Sequence, residues 1–196
     1  MLDFGCGSKP YEELFTRAAE YIGIDVEQSG HDHTNSAVDV FFDGTHIPFP
    51  DGRFDAVVSF QVCEHVPDLA IVLREMRRVL KPGGVLLVSL PMIYPEHEIP
   101  YDFRRLTRFG IERHWRAAGF DVEEIVPTTT DWLTVQQMQL LFLTERCLPQ
   151  NKIAKIFAVP IVAAFNLFSI GLGHVLPKAR TMPLDYVVLA RRPAAD

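Results

Sequence analysis

The sequence has few cysteines and no paired arrangement of them. Only three occur among 196 residues, at Cys6, Cys63 and Cys147. This odd and widely spaced set lacks the density of a secreted disulfide scaffold and the close pairs of a structural zinc site. We therefore expect reduced thiols in a cytoplasmic protein. The first residues lack a basic stretch followed by an apolar one, and this predicts no secretory signal.

The chain also lacks an excess of basic residues. Its 19 lysines and arginines stand against 25 aspartates and glutamates, so the net charge is −6. A negative surface repels a phosphate backbone rather than binding it through counterion release, and we expect no nucleic-acid partner. The 48% of hydrophobic and 22% of charged residues are ordinary for a globular protein, and the length suits one domain.

Short apolar segments alternate with segments of helical periodicity. This alternation is typical of a parallel sheet covered by helices on both faces. The predicted strands are residues 2–4, 21–25, 38–42, 54–59, 85–90, 120–126 and 184–190. The predicted helices between them are residues 11–19, 68–80 and 107–118.

A long segment, residues 128–182, separates the last two predicted strands. It exceeds the usual length of a loop and predicts a helical insertion. A helix is predicted at 132–146, followed by an uncharged stretch at 156–172 that is interrupted by Pro160, Asn166, Ser169 and Gly171. That stretch lies at the short limit for crossing a bilayer. Three interpretations stand open: two packed helices that cap the domain, membrane contact, and an apolar substrate tunnel.

A glycine turn, Gly5-Cys6-Gly7, follows the first predicted strand directly. Glycine permits a sharp turn and a close approach of ligand beyond the carboxyl end of a strand. Asp25 closes the second strand 18 positions after Gly7, near the spacing at which a carboxylate accepts hydrogen bonds from a ribose diol. A dinucleotide fingerprint would have glycine where Pro10 stands, which disfavours a nicotinamide enzyme, and no Gly-Lys-Ser/Thr supports a triphosphate site.

Several longer motifs occur in a specific order along the chain. They are Leu2-Asp3-Phe4-Gly5-Cys6-Gly7-Ser8-Lys9-Pro10-Tyr11, Tyr21-Ile22-Gly23-Ile24-Asp25, Asp43-Gly44-Thr45-His46-Ile47-Pro48-Phe49, Glu64-His65-Val66 and Leu73-Arg74-Glu75-Met76-Arg77-Arg78-Val79-Leu80-Lys81-Pro82-Gly83-Gly84. In this order the chain resembles the class I S-adenosylmethionine-dependent methyltransferases, specifically a type 11-like group whose first motif contains Gly-Cys-Gly-x-Lys-Pro-Tyr. The resemblance covers about residues 1–127 and the final strand.

The resemblance implies an α/β, Rossmann-like, doubly wound sheet of seven strands whose last strand is antiparallel. It implies one methyltransferase domain over residues 1–196, with 128–182 as a helical lid or substrate-binding insertion, and S-adenosyl-L-methionine as the cofactor. It assigns Asp3, Gly5 and Gly7 to the methionine part, Asp25 with the adjacent Val26 to the ribose, and Asp43 with Gly44 to the adenine. Phe60 offers an aromatic face to the sulfonium.

Two histidines follow predicted strands at the same edge of the sheet, His65 after the fourth and His97 after the fifth. Positioning can supply most of the rate of methyl transfer, and an acceptor hydroxyl also benefits from a base with a pKa of about 6.5. We predict that both histidines are catalytic. The alternative is that Glu64 and His65 cap a helix, while His97 and Asp102 only hold their own loop.

Three other polar groups are assigned no role in binding or catalysis. A metal ion held by His97, Glu98 and Asp102 is disfavoured, because no spacing here demands one. His31-Asp32-His33 is interpreted as a polar loop near the adenosine end. The five arginines of residues 104–116 could bind an anionic acceptor, but on a helix they more often form a solvated face.

The sequence therefore predicts a methyltransferase for a small-molecule, glycan-precursor or lipid-linked acceptor, with methylation at oxygen. We expect it in the cytoplasm, with peripheral membrane contact through residues 156–172 as an open alternative. A second hypothesis is a non-catalytic cofactor-binding or partner module that retains the fold.

Overall fold

The computed structural model describes residues 1–27, 36–147 and 151–194, without the side chains of residues 152–155. The chain forms two compact units. The sheet unit comprises Met1–Val126 and Asp185–Asp196, and the helical unit comprises Pro127–Leu184. The predicted polar loop His31-Asp32-His33 lies outside the described residues.

Seven strands form a single sheet. They are β1 (Leu2–Phe4), β2 (Ile22–Val26), β3 (Val40–Phe42), β4 (Phe54–Phe60), β5 (Leu80–Pro91), β6 (Asp121–Pro127) and β7 (Asp185–Arg191). Their order is β3-β2-β1-β4-β5-β7-β6. Strands β1 to β5 pair in parallel, and β7 pairs antiparallel with β5. The predicted seven-stranded Rossmann-like sheet with an antiparallel last strand is confirmed.

The centre of the sheet is apolar on both faces. Leu2 of β1 and Ile24 of β2, on one face, have no exposed surface, and Val58 of β4, on the other face, is 2% exposed. Residues buried on both faces are typical of parallel sheets, because helices and loops cover each side. Parallel pairing also brings the carboxyl ends of β1 to β5 to one edge, and the functional residues follow these ends.

Two helices of the sheet unit begin at side-chain caps. Helix α1 (Leu69–Val79) begins after Asp68, whose carboxylate accepts a hydrogen bond from the Ile71 amide at 3.1 Å. Helix α2 (Arg108–Ala117) begins after Thr107, whose hydroxyl accepts one from the Gly110 amide at 3.3 Å. One face of α1 is buried through Leu69, Val72, Leu73, Met76 and Val79, and each such side chain contributes roughly 1.5–3 kcal/mol.

The helix predicted at residues 11–19 is wrong. This segment forms only a short 3-10 turn over Glu12–Phe15, without a side-chain cap and without a buried residue. Leu14, which the helical pattern places on an apolar face, is 74% exposed. Short helices depend on burying an apolar face, and this segment has no such face to bury.

The helical unit is built from two helices. Helix α3 (Asp131–Phe142) ends in a π-helical turn over Leu143–Cys147, and helix α4 spans Lys152–Gly173 through Pro160. The polar interruptions of the apolar stretch contact α3. The Trp132 indole donates to the Ser169 carbonyl at 2.9 Å, and the Gln136 amide donates to the Asn166 side chain at 2.5 Å.

Helix α4 presents most of its apolar surface to the outside of its unit. Among the described residues, one helical segment is long and apolar enough to cross a bilayer. This segment is Ile156–Gly173, with a mean hydropathy of 2.0 and 6% of its residues buried.

Candidate functional site

A cavity of about 1190 Å³ lies in the sheet unit at the carboxyl ends of the parallel strands. The turn after β1, the ends of β2, β3 and β4, and the loop after β5 all contribute to its wall. In open α/β sheets, ligands bind in this crevice beyond the strand ends. All of the predicted cofactor-binding residues except Asp3, and both predicted catalytic histidines, line it.

The glycine turn forms one wall of the cavity. Gly5 has a φ of +73°, and a Cβ atom there would lie 2.4 Å from Val62, so only glycine lets the turn pack against the end of β4. Gly7 has a φ of +49°, and a Cβ atom there would meet nothing within 4 Å. Gly7 therefore leaves open space on the cavity wall, which a side chain would fill.

Asp25 lies at the end of β2 and is only 9% exposed. Its two oxygens accept hydrogen bonds from the Gly7 amide at 3.0 Å and from the Val26 amide at 2.8 Å. These bonds fix the carboxylate against the glycine turn. A carboxylate oxygen accepts more than one hydrogen bond, so the fixed group can also bind a diol in the cavity.

Asp43 and Gly44 follow β3 and line the same cavity. One oxygen of Asp43, Oδ1, accepts hydrogen bonds from the Thr45 amide at 2.7 Å, the Thr45 hydroxyl at 2.9 Å and the His46 amide at 2.8 Å. These donors, the His46 amide first, lower the pKa of Asp43 and keep it ionised. The loop thereby presents a carboxylate at the end of β3.

The predicted contact of Asp3 with the cofactor is not supported by its position. Its side chain is 3% exposed, accepts a hydrogen bond from the Tyr21 hydroxyl at 2.5 Å, and is not part of the cavity wall. Burial raises the pKa of Asp3 to about 6. Side chains alternate between the faces of a strand, and in β1 this alternation directs Asp3 toward Tyr21 rather than toward the glycine turn.

An aromatic pair borders the cavity near the glycine turn. The rings of Tyr11 and Phe60 lie 4.6 Å apart in an edge-to-face arrangement, and both residues line the cavity. Phe60 was predicted here, and Tyr11 was not. Tyr11 follows the Lys9-Pro10 pair, so its place in the first motif could have pointed to this role.

Lys9 connects the first turn to the segment before β3. Its ammonium group and the Gly23 amide both donate to Asp39 Oδ2, at 2.5 Å and 2.7 Å. A Cβ atom at Gly23 would lie 2.6 Å from the Lys9 side chain and 2.5 Å from the Cys6 sulfur. Lys9 therefore crosses over Gly23 and ties the first turn to the segment before β3.

The two predicted catalytic histidines lie side by side. The rings of His65 and His97 are 4.7 Å apart, and both line the cavity. Nδ1 of His65 lies 3.0 Å from the Tyr101 carbonyl oxygen. Because a carbonyl oxygen only accepts, this nitrogen carries the proton and Nε2 carries the lone pair. Burial lowers the pKa of His65, so its ring is neutral at pH 7.

The capping alternative for Glu64 and His65 is wrong, because Asp68 is the cap of α1. The loop-holding alternative for Asp102 agrees with the contacts. Asp102 accepts from the His97 amide at 3.0 Å and forms an ion pair with Arg105 at 2.5 Å, and Arg105 holds its pKa down to about 2.

Glu64 is not part of the cavity wall but lies beside both histidines, a placement that sequence analysis missed. It has no exposed surface, and neither carboxylate oxygen has a hydrogen-bond partner among the described residues. Burial raises the pKa of Glu64 to about 7. One ligand atom each from Glu64, His65 and His97 lie within 4.8 Å of one another. Glu98, rather than Asp102, is the second acid here, since its Oε1 lies 3.6 Å from His65 Nε2.

Only some of the five arginines form the predicted solvated face of a helix. Arg104 donates to the Cys63 carbonyl at 2.6 Å and to the Pro67 carbonyl at 2.9 Å, and Arg105 pairs with Asp102. Arg116 pairs with Glu112 one turn earlier on α2. The first two arginines thus hold the loops around the two histidines in place.

The chain is similar to a known protein family and to several curated proteins. The family model described as "Methyltransferase domain" matches residues 2–88. A curated protein of Mycolicibacterium smegmatis, named "Probable S-adenosylmethionine-dependent methyltransferase", is 34% identical over 135 residues, which are 63% of this chain and 52% of that protein. The ubiquinone biosynthesis O-methyltransferase of Azorhizobium caulinodans is 29% identical over 158 residues, 67% of this chain and 62% of its own.

Among solved structures, the chain is similar to the [4+2]-cyclase SpnF, with a TM-score of 0.63 and 23% identity over 99% of this chain and 75% of that one. This likeness concerns the fold. The chain spans about half the length of the curated relatives it matches.

Residues 2–88 match a methyltransferase domain. This match, the seven-stranded sheet and the relative named after its S-adenosylmethionine dependence support a class I S-adenosylmethionine-dependent methyltransferase. The predicted enzyme class and the predicted cofactor agree with the family match of residues 2–88 and with the printed name of this relative.

The cavity of the sheet unit fits S-adenosylmethionine chemically. Asp25 offers a fixed carboxylate for a diol, and Asp43 offers an acceptor for an amino group. Gly7 leaves space at the turn, and Phe60 with Tyr11 provides aromatic surface for a cation. The assignment of each residue to a part of S-adenosylmethionine stays a prediction.

Proposed function

We propose that this chain transfers a methyl group from S-adenosylmethionine to an oxygen atom of an acceptor. The observation that carries the proposal is that one cavity is lined by carboxylates in one part and by imidazoles in another. The carboxylates Asp25 and Asp43 belong to one part of it, and the imidazoles of His65 and His97 to another. A methyltransferase needs both a cofactor site and a group that acts on the acceptor.

The residues of the chain have distinct tasks in this proposal. Asp25 binds the ribose hydroxyls, and Asp43 with Gly44 borders the adenine. Phe60 and Tyr11 border the sulfonium and exclude water from it. The cofactor, when bound, supplies an electrophilic methyl group.

His65 is the proposed proton acceptor for the hydroxyl of the acceptor molecule. Its Nδ1 is held by the Tyr101 carbonyl, so the ring is fixed with Nε2 unprotonated at neutral pH. His97 packs edge to face against it and keeps the ring in place. General base catalysis of this kind typically contributes 10²–10⁴-fold, on the order of the loss expected for His65→Ala.

The acceptor is proposed to be lipid-linked or otherwise apolar. The support is helix α4, whose exposed side chains include Ile156, Phe157, Ile161 and Leu167, each at least 68% exposed. We propose that the cytoplasmic chain contacts a membrane surface peripherally through this helix. The role of the helical unit as a lid or acceptor-binding insertion remains part of the same proposal.

Liposome flotation tests the membrane contact. The whole chain is expected to float with vesicles of mixed neutral and anionic lipids, and a variant with Ile161→Ser and Leu167→Ser is expected to float less. A variant with Glu123→Ser in β6 serves as the control. Equal flotation of all three proteins, or flotation of none, would contradict this part of the proposal.

Calorimetric titration with S-adenosylmethionine tests the cofactor site. Asp25→Ala removes two hydrogen bonds to a charged acceptor, about 1.5 kcal/mol each, so the affinity should fall roughly 100-fold. Asp55→Ala is the matched control, because Asp55 lies at the amino-terminal end of β4, away from the cavity, and pairs with Lys81 on the surface. Equal affinities of the two variants would refute the assignment of Asp25.

The alternative is a module that binds the cofactor without transferring its methyl group. The similarity in fold to a protein named as a cyclase favours keeping this hypothesis. The two hypotheses differ in the products that they predict. Incubation with cofactor and fractionated lipid and small-molecule extracts should yield S-adenosylhomocysteine and a methylated product. Saturable cofactor binding without either product in any fraction would favour the module.

A further inference from the structure

A cluster of metal-binding side chains adjoins the acceptor end of the cavity, whose wall includes His65, His97 and Glu98 but not the fully buried Glu64. One ligand atom each from Glu64, His65 and His97 lie within 4.8 Å of one another. His65 Nε2 is 3.7 Å from Glu64 Oε1 and 3.6 Å from Glu98 Oε1. Two imidazoles and a carboxylate, with a further carboxylate beside them, are a ligand set that suits zinc and neighbouring transition metals.

The surroundings of Glu64 are the second observation that points to a bound cation. It has no exposed surface, and both of its carboxylate oxygens lack a hydrogen-bond partner among the described residues. Nε2 of His65 likewise has no hydrogen-bond partner there. A buried carboxylate without a partner is costly, and buried acids are normally paired or coordinate a metal.

The outer contacts of the two histidines follow the same pattern. Nδ1 of His65 faces the Tyr101 carbonyl at 3.0 Å, and Nδ1 of His97 lies 3.2 Å from Asp102 and 3.3 Å from the Pro95 carbonyl. Metal-binding histidines usually direct one nitrogen to a carbonyl or carboxylate, which fixes the ring and leaves the other nitrogen for the metal. In both histidines Nδ1 makes these outer contacts, and Nε2 is the nitrogen left for a metal ion.

The backbone of the nearby loop is held in a strained conformation. Glu98 has a φ of +52° although it is not a glycine. Such a conformation costs about 1–3 kcal/mol and occurs mainly where the side chain serves a site. With this backbone conformation, the Glu98 carboxylate lies beside His65.

From this cluster we infer a binding site for a divalent cation of the zinc class, held by Glu64, His65 and His97 with Glu98 adjacent. The ligand atoms of a tetrahedral zinc ion lie roughly 3.3 Å apart, so binding requires small rotations of these side chains. Three protein ligands leave one position open, as in catalytic zinc sites.

The inference deepens the proposed function and rests on it only for the role of the cation. At the open position the cation would bind the acceptor hydroxyl and lower its pKa. In the loaded protein the lone pair of His65 Nε2 is committed to the cation, so the hydroxyl proton would pass instead to the adjacent Glu98 carboxylate, whose Oε1 lies 3.6 Å from His65 Nε2. The site also selects for acceptors whose oxygen can coordinate a metal.

The test measures cation binding directly, on the full chain after treatment with a chelator. Calorimetry with Zn²⁺ should give one site per chain, and Co²⁺ should give visible absorption bands of a tetrahedral site. His97→Asn and Glu64→Gln should weaken Zn²⁺ binding at least roughly 100-fold, since each removes a ligand outright. His114→Gln, on the exposed side of α2, is the matched control and should bind like the unaltered chain.

The outcomes separate this inference from the proposed function. Absence of stoichiometric Zn²⁺ binding by the unaltered chain, or unchanged binding by His97→Asn, would overturn the cation site. His97 lies in a surface loop, so its variant tests the site even where Glu64→Gln fails to fold. S-adenosylmethionine is titrated into the same samples. Absence of its binding by the unaltered chain would refute the cofactor site, whatever the result with Zn²⁺.

Discussion

The buried carboxyl group of Asp3 makes the stability of the sheet unit depend on pH in a defined direction. Asp3 is 3% exposed, and its pKa is raised from 3.8 to about 6, mainly because burial disfavours the charged form. The hydrogen bond from Tyr21 opposes this shift only in part. Below pH 3.8 the group is protonated in both the folded and the unfolded chain, so it carries no penalty.

The penalty develops as the pH rises. Between pH 3.8 and about 6 the folded chain keeps a proton on Asp3 that the unfolded chain has lost, so the free energy of unfolding falls with pH. A rise in pKa from 3.8 to about 6 corresponds to about 3 kcal/mol at pH 7. Asp3→Asn keeps an acceptor for Tyr21 without the charge. Relative to the unaltered chain, it should therefore gain roughly 2.4 kcal/mol between pH 4 and pH 7, since a small part of the penalty is already present at pH 4.

Urea unfolding at pH 4, 5, 6 and 7, followed by circular dichroism, measures this difference. Subtracting the unaltered chain from the variant removes the contributions of all other titrating groups. Asp55→Asn is the control with the opposite sign, because Lys81 lowers the pKa of Asp55 and stability is lost when that carboxylate is removed at neutral pH. A difference between Asp3→Asn and the unaltered chain that does not change with pH would refute the reasoning.

Two further predictions concern packing and a polar network. Gly5→Ala should lower the free energy of unfolding by roughly 2–5 kcal/mol, through its positive φ and the clash with Val62, whereas Gly7→Ala, which has the strain without the clash, should cost about 1 kcal/mol. Arg78→Met should cost roughly 2–4 kcal/mol, because Arg78 bonds Glu75, Asp51 and two backbone carbonyls, whereas Arg116→Met at the surface should cost less than about 1 kcal/mol. Thermal and urea unfolding would contradict either prediction if the two members of a pair were equally stable.

The sheet was predictable because its signals are local. The central strands contain short apolar runs, and the spacing from Gly7 to Asp25 places two strand ends at one edge. The boundaries of α1 and α2 were also close, since Asp68 and Thr107 are strong caps next to buried apolar faces. The segment after the first motif was mispredicted, because helical spacing without a surface to pack on does not stabilise a helix.

The site was only partly predictable, because the spacing of residues along the chain does not determine the direction in which a side chain points. Asp3 stands in the first motif, yet the alternation of β1 turns it to Tyr21. Glu64 adjoins His65 in sequence, but its complete burial without hydrogen-bond partners arises from the loops of residues 61–67 and 94–105 folding together. No pattern along the chain shows that two loops meet.

The crossing of Lys9 over Gly23, closed by Asp39, has a consequence for how this protein could diverge. A methyl group at position 23 would collide with both Lys9 and Cys6, and loss of Asp39 would leave the Lys9 ammonium group and the Gly23 amide without their shared acceptor. Evolution is therefore expected to replace these three positions jointly or not at all. Chimaeras that exchange the first turn with that of another homologue should fold only when all three residues come from the same parent.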